Sequence, residues 1–343
     1  MSVTSNIAHL TRSSVWTNEI KEALQDELIG QGHVRWLPFE GGGTTLNIPS
    51  IGESVVRDYV EDTPAVYTSL DTGNFQFSIT EYVQSGNYIT EKARQDLYYA
   101  AQLEASFVPK QARALAERVE TDIYRLAGAG ASGGQQTASP NAINGADHRW
   151  VAMGTDVGTN DNQISVKDFA KALFGLKRAN VPGTSLIALV DPSVEYTINT
   201  VTNLINFPSS SGAPMWGDLI TTGIGSGPRF VRNIYGFDVY VTNYLPVAGA
   251  NGGTGGAAAT EAITPTGGSS DTISTSGVCN IFMSTASPDL LPFIGSWGQM
   301  PKVDSSYNKD FQREEYITTA RWGLKVYRPE NLIVVLSSTN VIV

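Results

Sequence analysis

Charge is scarce in this sequence. Lys, Arg, Asp and Glu together make up 16% of its 343 residues, against roughly a quarter in ordinary globular chains. A surface so poor in charge suits a protein whose surface is largely covered by partners. The balance is acidic, with a net charge of −10. The nearest thing to a basic cluster, Lys110, Arg113 and Arg118, is interrupted by Glu117 and Glu120. Phosphate contacts dominate nucleic-acid affinity, so this pattern excludes a specific DNA or RNA reader. It does suit a surface that sits near nucleic acid without adhering to it.

Other absences narrow the field further. Cys279 is the only cysteine, so no intramolecular disulfide can form. Its setting, Val278-Cys279-Asn280-Ile281-Phe282-Met283, predicts a buried structural thiol. No apolar run approaches 18 residues and MSVTSNIAHLTRSSVW has no apolar core. Neither a membrane span nor a secretory signal is expected, and a soluble chain made in a reducing compartment is. The three histidines, His9, His33 and His148, are scattered without metal-site spacing. There is no G-x-S-x-G elbow. Gly223, Gly225 and Gly227 in TTGIGSGPRF lack the phosphate-loop spacing and read as a flexible turn. GTDVGTNDN offers oxygen ligands without the calcium-loop pattern and reads as a surface loop. Glu120 and Asp122 stand two apart on a helix, point in different directions and read as solvent-facing or ion-paired. No catalytic residue, cofactor or metal is expected.

What is present is organised in blocks, with no repeat of fixed period. Residues 1–37 form a polar arm in which Trp16, Ile20, Leu24 and Leu28 recur at helical spacing and Gly30 ends the run. Residues 38–75 open a long hairpin. Leu46, Ile48 and Ile51 alternate with polar residues, as do Phe75, Phe77 and Ile79, and the connecting loop carries Arg57, Asp58, Glu61 and Asp62. A two-stranded ribbon is marginal alone and needs a neighbour that nothing local supplies. A helix at about 93–127 follows, with an apolar face of Leu97, Ala101, Ala105, Val108, Ala112, Leu115, Val119, Ile123 and Leu126. Pro109 predicts a bend there, or a break into two helices.

Residues 130–163 read as a polar loop or small subdomain. From Ser165, an N-cap, the pattern is α/β: a helix through Leu176, a buried strand Leu186–Val190, and a helix begun by Asp191-Pro192 with Val194, Ile198, Val201 and Ile205 on one face. YGFDVYVTNYLP is a strand and turn. Residues 248–277 are a low-complexity excursion, read as flexible and exposed. At the end, Tyr316 to Tyr327 alternates like a half-buried strand, and Leu332–Leu336 reads as a strand covered on both faces.

The order of these parts, with ALAERVETDIYRLAG, LKRANVPGTSLIALVDPSVEYTI, GFDVYVTNYLP and RWGLKVYRPENLIVV, resembles the major capsid proteins of tailed bacteriophages with the Hong Kong 97 fold. The resemblance implies an α+β fold. An N-terminal arm (1–37) and an extended β-hairpin loop (38–75) precede a peripheral domain (76–164 and 306–343) built on a long spine helix. An α/β axial domain (165–305) is inserted, carrying the 248–277 excursion. It implies that the closing strands pair with the strand at Phe75–Ile79. It implies self-assembly as pentamers and hexamers into an icosahedral head around double-stranded DNA in the virion, built in the host cytoplasm. Arg57, Asp58, Glu61 and Asp62, and Trp16 and Ile20 of the arm, become assembly contacts, although each charged residue also fits an ordinary solvated loop.

Partners implied are a separate scaffolding protein, since the arm is short, a portal, a cement protein, and DNA touched without sequence preference; no membrane is implied. Some relatives cross-link through a lysine of the extended loop, but here no lysine occurs between Lys21 and Lys92. The alternatives left open are an encapsulin-like compartment shell, a β-rich hydrolase with unrecognised carboxylates, and a tail or cement protein.

Overall fold

The structure, a computed structural model, describes residues 28–39, 43–51, 56–58, 61–62, 64, 67, 72–96, 100–128, 142–152, 163–200, 230–246, 261–263, 271–273 and 277–338. A 3-10 turn at Gly30–His33 leads into β1 (Val34–Leu37). Next come β2 (Thr45–Ile51), β3 (Thr72–Ser78), β4 (Glu81–Thr90), α1 (Glu91–Asp96) and α2 (Ala100–Arg125). Three short strands follow, β5 (Ala142–Ile143), β6 (Ala146–Asp147) and β7 (Arg149–Val151), then α3 (Val166–Arg178), β8 (Leu186–Val190) and α4 (Pro192–Thr200). The chain continues through β9 (Phe230–Ile234), β10 (Phe237–Val241), β11 (Glu261–Ile263), β12 (Asp271–Ile273) and β13 (Gly277–Ser284). It closes with β14 (Phe293–Asn308), β15 (Arg313–Val326) and β16 (Ile333–Ser338).

Two sheets organise these elements. One is four-stranded, in the order β1-β14-β15-β4; the other is six-stranded, in the order β7-β16-β13-β8-β10-β9. In the six-stranded sheet the buried runs alternate between two cores. Leu186, Ala188 and Val190 of β8 and Ile333 and Val335 of β16 pack with α3 and α4. Ile187 and Leu189, and Val334 and Leu336, face the opposite core with α2 and with Phe293, Ala320 and Trp322 of the other sheet. A strand covered on both faces is apolar throughout, and full burial of one such side chain contributes about 1.5–3 kcal/mol.

The expected local signals are in place at α3, β8, α4 and β10. Asp168 accepts hydrogen bonds from the backbone N–H and the hydroxyl of Ser165, both at 2.9 Å, and from Trp150 Nε1 at 2.9 Å. The Asp191 carboxylate accepts from Ser193 N at 2.9 Å. Cys279 is free and buried. Of the 248–277 excursion, the described residues include only the β11–β12 hairpin and Gly277.

Four expectations are corrected. The closing strands do not pair with each other or with Phe75–Ile79. β15 pairs with β4 from Arg313↔Thr90 to Trp322↔Glu81, while β16 enters the six-stranded sheet between β13 and β7. The strand at Phe75 instead pairs with β2, from Thr45↔Ser78 to Ile51↔Thr72. Second, of the two outcomes expected at Pro109, the break into two helices does not occur: α2 continues through it. Pro109 and Ala105, whose carbonyl loses its i+4 donor, both lie on the exposed side, where water can satisfy the orphan acceptor. Third, the helix buries Phe107, Gln111, Leu115, Val119 and Ile123, while Ala105 and Ala112 are exposed. A step of four overshoots a turn by about 40°, so this stripe winds around the helix. It starts on the four-stranded sheet, where Phe107 meets Tyr316 edge-on at 5.8 Å and Gln111 bonds Thr318 at 2.7 Å. It ends in the core between the sheets. Fourth, Glu120 and Asp122 are buried, not solvent-facing, while the ion-paired alternative holds for Asp122, which Arg118 reaches at 3.2 Å.

Candidate assembly surface

The ribbon of β2 and β3 has a seated root and an exposed far end. At the root Phe77 and Ile79 are buried. Phe75 meets Tyr327 edge-on at 5.1 Å, and Lys325 lies over the Phe75 ring at 4.9 Å and donates to the Gln76 carbonyl at 3.0 Å. Ile79 N donates to the Thr44 carbonyl at 2.7 Å. Gly323 of β15 runs so close that a Cβ there would lie 2.7 Å from the Ser78 carbonyl oxygen. The expectation that the ribbon lacks support within its own chain therefore fails at its root.

Arg57, Asp58, Glu61 and Asp62 are all exposed, and Asp62 takes a left-handed φ of 61° in the turn it shares with Glu61. Among the described residues, no ion pair ties these four to the body. All four are thus exposed positions between β2 and β3. Trp16 and Ile20 lie outside the described residues. Sequence reasoning missed Val56 and Tyr67, 94% and 93% exposed on the same loop; the signal available was an apolar residue amid polar ones. Exposed aromatics are typical anchors of protein contacts.

Below the root lies a cavity of about 400 Å³ lined by Phe77, Thr80, Glu81, Asp122, Arg125 and Lys325, among others. Burial pushes the Asp122 carboxyl up to about 6, opposed by Arg118 and Arg125 and reinforced by Glu81. Arg118 reaches Asp122 at 3.2 Å and Glu81 at 3.8 Å. Arg118 thus links α2 to the start of β4. Nearby, Glu120 accepts from the backbone N–H of Ile29 at 3.0 Å and of Gly30 at 2.7 Å. Burial raises the Glu120 carboxyl despite these bonds. It also raises the Tyr124 phenol beside it. Glu120 thereby ties Ile29 and Gly30 to α2. His33 is held down at about 4 by burial, and burial lowers His148, whose Nδ1 lies 3.1 Å from the Ala146 carbonyl.

The far end of the four-stranded sheet is another exposed aromatic site. Arg313 lies over the rings of Tyr88 at 4.5 Å and Phe311 at 4.8 Å, and Phe311 and Tyr307 are solvent-exposed. A cation held between two rings is already ordered before any contact forms. Among the described residues there is no group of three or more metal-ligating side chains, and no helix is long and apolar enough to cross a membrane.

Comparison with known proteins returns one consistent class. A sequence family described as phage capsid protein matches residues 75–335. No curated protein matches. Among solved structures, one from Mycobacterium phage Che8 is 14% identical with a TM-score of 0.61, covering 95% of this chain and 97% of its own. The capsid of cyanophage P-SCSP1u is 14% identical at 0.65, covering 96% and 93%. The capsid of cyanophage Pam1 is 13% identical at 0.62, covering 98% and 99%. At such identities the likeness is one of fold.

Proposed function

Because the chain belongs to the phage capsid protein family, and as a major capsid protein forms the phage head, we propose that it assembles as pentamers and hexamers into an icosahedral shell around double-stranded DNA. The observation that carries this reading is the family match, which runs from the ribbon root through both sheets to β16. The compartment-shell and hydrolase alternatives are not favoured by that match. The virion is its place, with assembly in the host cytoplasm, and its role is structural, without turnover.

On this reading the chain divides into an arm (1–37), an extended loop (38–75), a peripheral domain (76–164 and 306–343) with the spine helix, and an axial domain (165–305). β7 and β16 then stitch peripheral segments into the axial sheet. Arg57, Asp58, Glu61 and Asp62 meet a neighbouring subunit, where charge complementarity sets register more than affinity; their common exposure between β2 and β3 supports this. Trp16 and Ile20 lie on another copy. A separate scaffolding protein, a portal and a cement protein are the companion proteins, and DNA contact is non-specific, in keeping with the acidic balance. Lysine cross-linking through the loop has no residue to perform it.

Expression of the chain alone and with its neighbouring genes, followed by negative-stain imaging, tests the proposal. Closed shells are expected. A sedimenting monomer under every condition, or open tubes, contradicts it.

A further inference from the structure

Helix α3 reads VKDFAKALFGLKR. It holds four cations and one anion, in a chain whose net charge is −10. The anion, Asp168, is buried at the cap, where it accepts from Ser165. The cations are spread along the sequence and gather only when the helix winds. At about 100° per residue, Lys167, Lys171, Phe174, Lys177 and Arg178 fall within an arc of about 120°, and no acid shares that arc.

The opposite side of the helix fixes how this face is presented. Phe169, Ala172 and Leu176 are buried against the six-stranded sheet. Gly175 runs so close to β16 that a Cβ there would lie 2.8 Å from Ile333 Cδ1. A helix seated so tightly cannot roll. Lys167, Phe174, Lys177 and Arg178 are therefore held outward, and all four are exposed.

Lys171 is already engaged, since it reaches Asp147 at 3.3 Å and lies over the Trp150 ring at 4.5 Å. Arg178 Nε donates to the Asn144 carbonyl at 2.9 Å, which orients the guanidinium without neutralising it. Among the described residues, Lys167, Lys177 and Arg178 form no ion pair. Three uncompensated charges thus stand on one rigid face about 16 Å long. Duplex DNA carries a charge about every 1.7 Å of its axis, so such a face meets phosphates in any register and on any sequence. A basic stripe along one helix is the electrostatic footprint of phosphate binding. Phe174, 57% exposed, is a single apolar residue on that stripe, and isolated surface apolar residues are ordinary.

We propose that the cationic face of α3 is the surface through which the shell touches its packaged DNA, by phosphate contacts alone. This rests on the reading of the chain as a shell subunit, and it turns α3 toward the lumen. Three phosphate contacts make each copy a weak, salt-sensitive site, with affinity falling as about the 2.7th power of salt concentration. Repetition over many copies makes the sum substantial. The acidic balance of the rest of the chain keeps DNA from adhering elsewhere.

Amine acylation tests it. DNA-filled particles and particles emptied of DNA are treated with a small acylating reagent, and modification of each lysine is read by mass spectrometry. Lys167 and Lys177 should react several-fold more slowly in filled particles. Lys302, its side chain 63% exposed on the four-stranded sheet, should react equally in both. Phe174→Ser should assemble and protect the two lysines as the parent does. Equal rates at Lys167 and Lys177 in filled and emptied particles, whether fast or slow, overturn the proposal. Loss of particles from a Phe174→Ser subunit that unfolds at the parent's urea midpoint also overturns it, because the face is then a protein contact. Both results leave the shell reading intact. Failure of the unmodified chain to form particles removes the shell reading itself, and this proposal with it.

Discussion

Replacing Gly323 with alanine tests how the ribbon is aimed. The added Cβ would meet the Ser78 carbonyl oxygen at 2.7 Å and the Ile79 Cα at 2.8 Å. Both are backbone atoms, so neither can rotate aside. Ordinary contact begins at 3.4 Å, so the root of the ribbon must retreat by about 0.7 Å. That movement works against everything that seats the root: buried Phe77 and Ile79, the Phe75–Tyr327 contact, and the Lys325 bond to Gln76. Forcing extra atoms into a close-packed contact costs on the order of 1–3 kcal/mol. Urea unfolding of the unassembled subunit should show a loss in that range, and the yield of closed particles should fall because the displaced ribbon misses its target. Gly32→Ala is the control, since a Cβ there has nothing within 4 Å. If Gly323→Ala unfolds within about 0.5 kcal/mol of the parent and assembles at full yield, the root is not held as described.

Three further outcomes follow from the same geometry. Burial holds the Asp122 carboxyl at about 6 instead of 3.8, so between those values the folded chain binds this proton more tightly than the unfolded chain. The group's contribution is present below pH 4 and is lost as pH rises through 6, a change of about 3 kcal/mol. Asp122→Asn should flatten that part of the stability profile, measured by denaturation at pH 4 and 7. Glu120→Ala leaves the N–H groups of Ile29 and Gly30 without their acceptor. It should cost about 1–3 kcal/mol and speed amide exchange at both residues. The double reversal Arg57→Glu with Asp58→Lys changes only exposed residues; subunit stability should stay within about 0.5 kcal/mol while particle assembly falls sharply, read by sedimentation.

The most legible parts of the sequence were the elements whose burial is uniform. β8 and β16 are apolar at every position because both faces are covered, and α3 and α4 carry their own caps in Ser165 and Asp191. β14 was illegible for physical reasons. Its outer half is exposed, it contains Gly298 and Pro301, and its two register shifts break the period of two. β1 is only four residues long and gains its place by pairing with β14. The closing strand was given the wrong partner because β3 and β4 are nearly contiguous, and the Phe75–Ile79 alternation is more apolar than that of β4. The helix face was misplaced because a fixed stripe was assumed where the buried residues wind from one sheet to a second core. The burial of Glu120 could not be foreseen, since the N–H groups it accepts from, Ile29 and Gly30, come from a distant segment; Asp122 keeps its ion-pair partners, Arg118 and Arg125, on its own helix. The charged loop was found by composition, but the seat of its root depends on Gly323 and Lys325, some 250 residues away.

The most direct test of the whole account is a near-atomic cryo-EM reconstruction of particles formed by this chain. It should show a closed shell in which the loop bearing Arg57, Asp58, Glu61 and Asp62 lies on an adjacent subunit. A shell in which that loop folds back on its own subunit and touches no neighbour would contradict it.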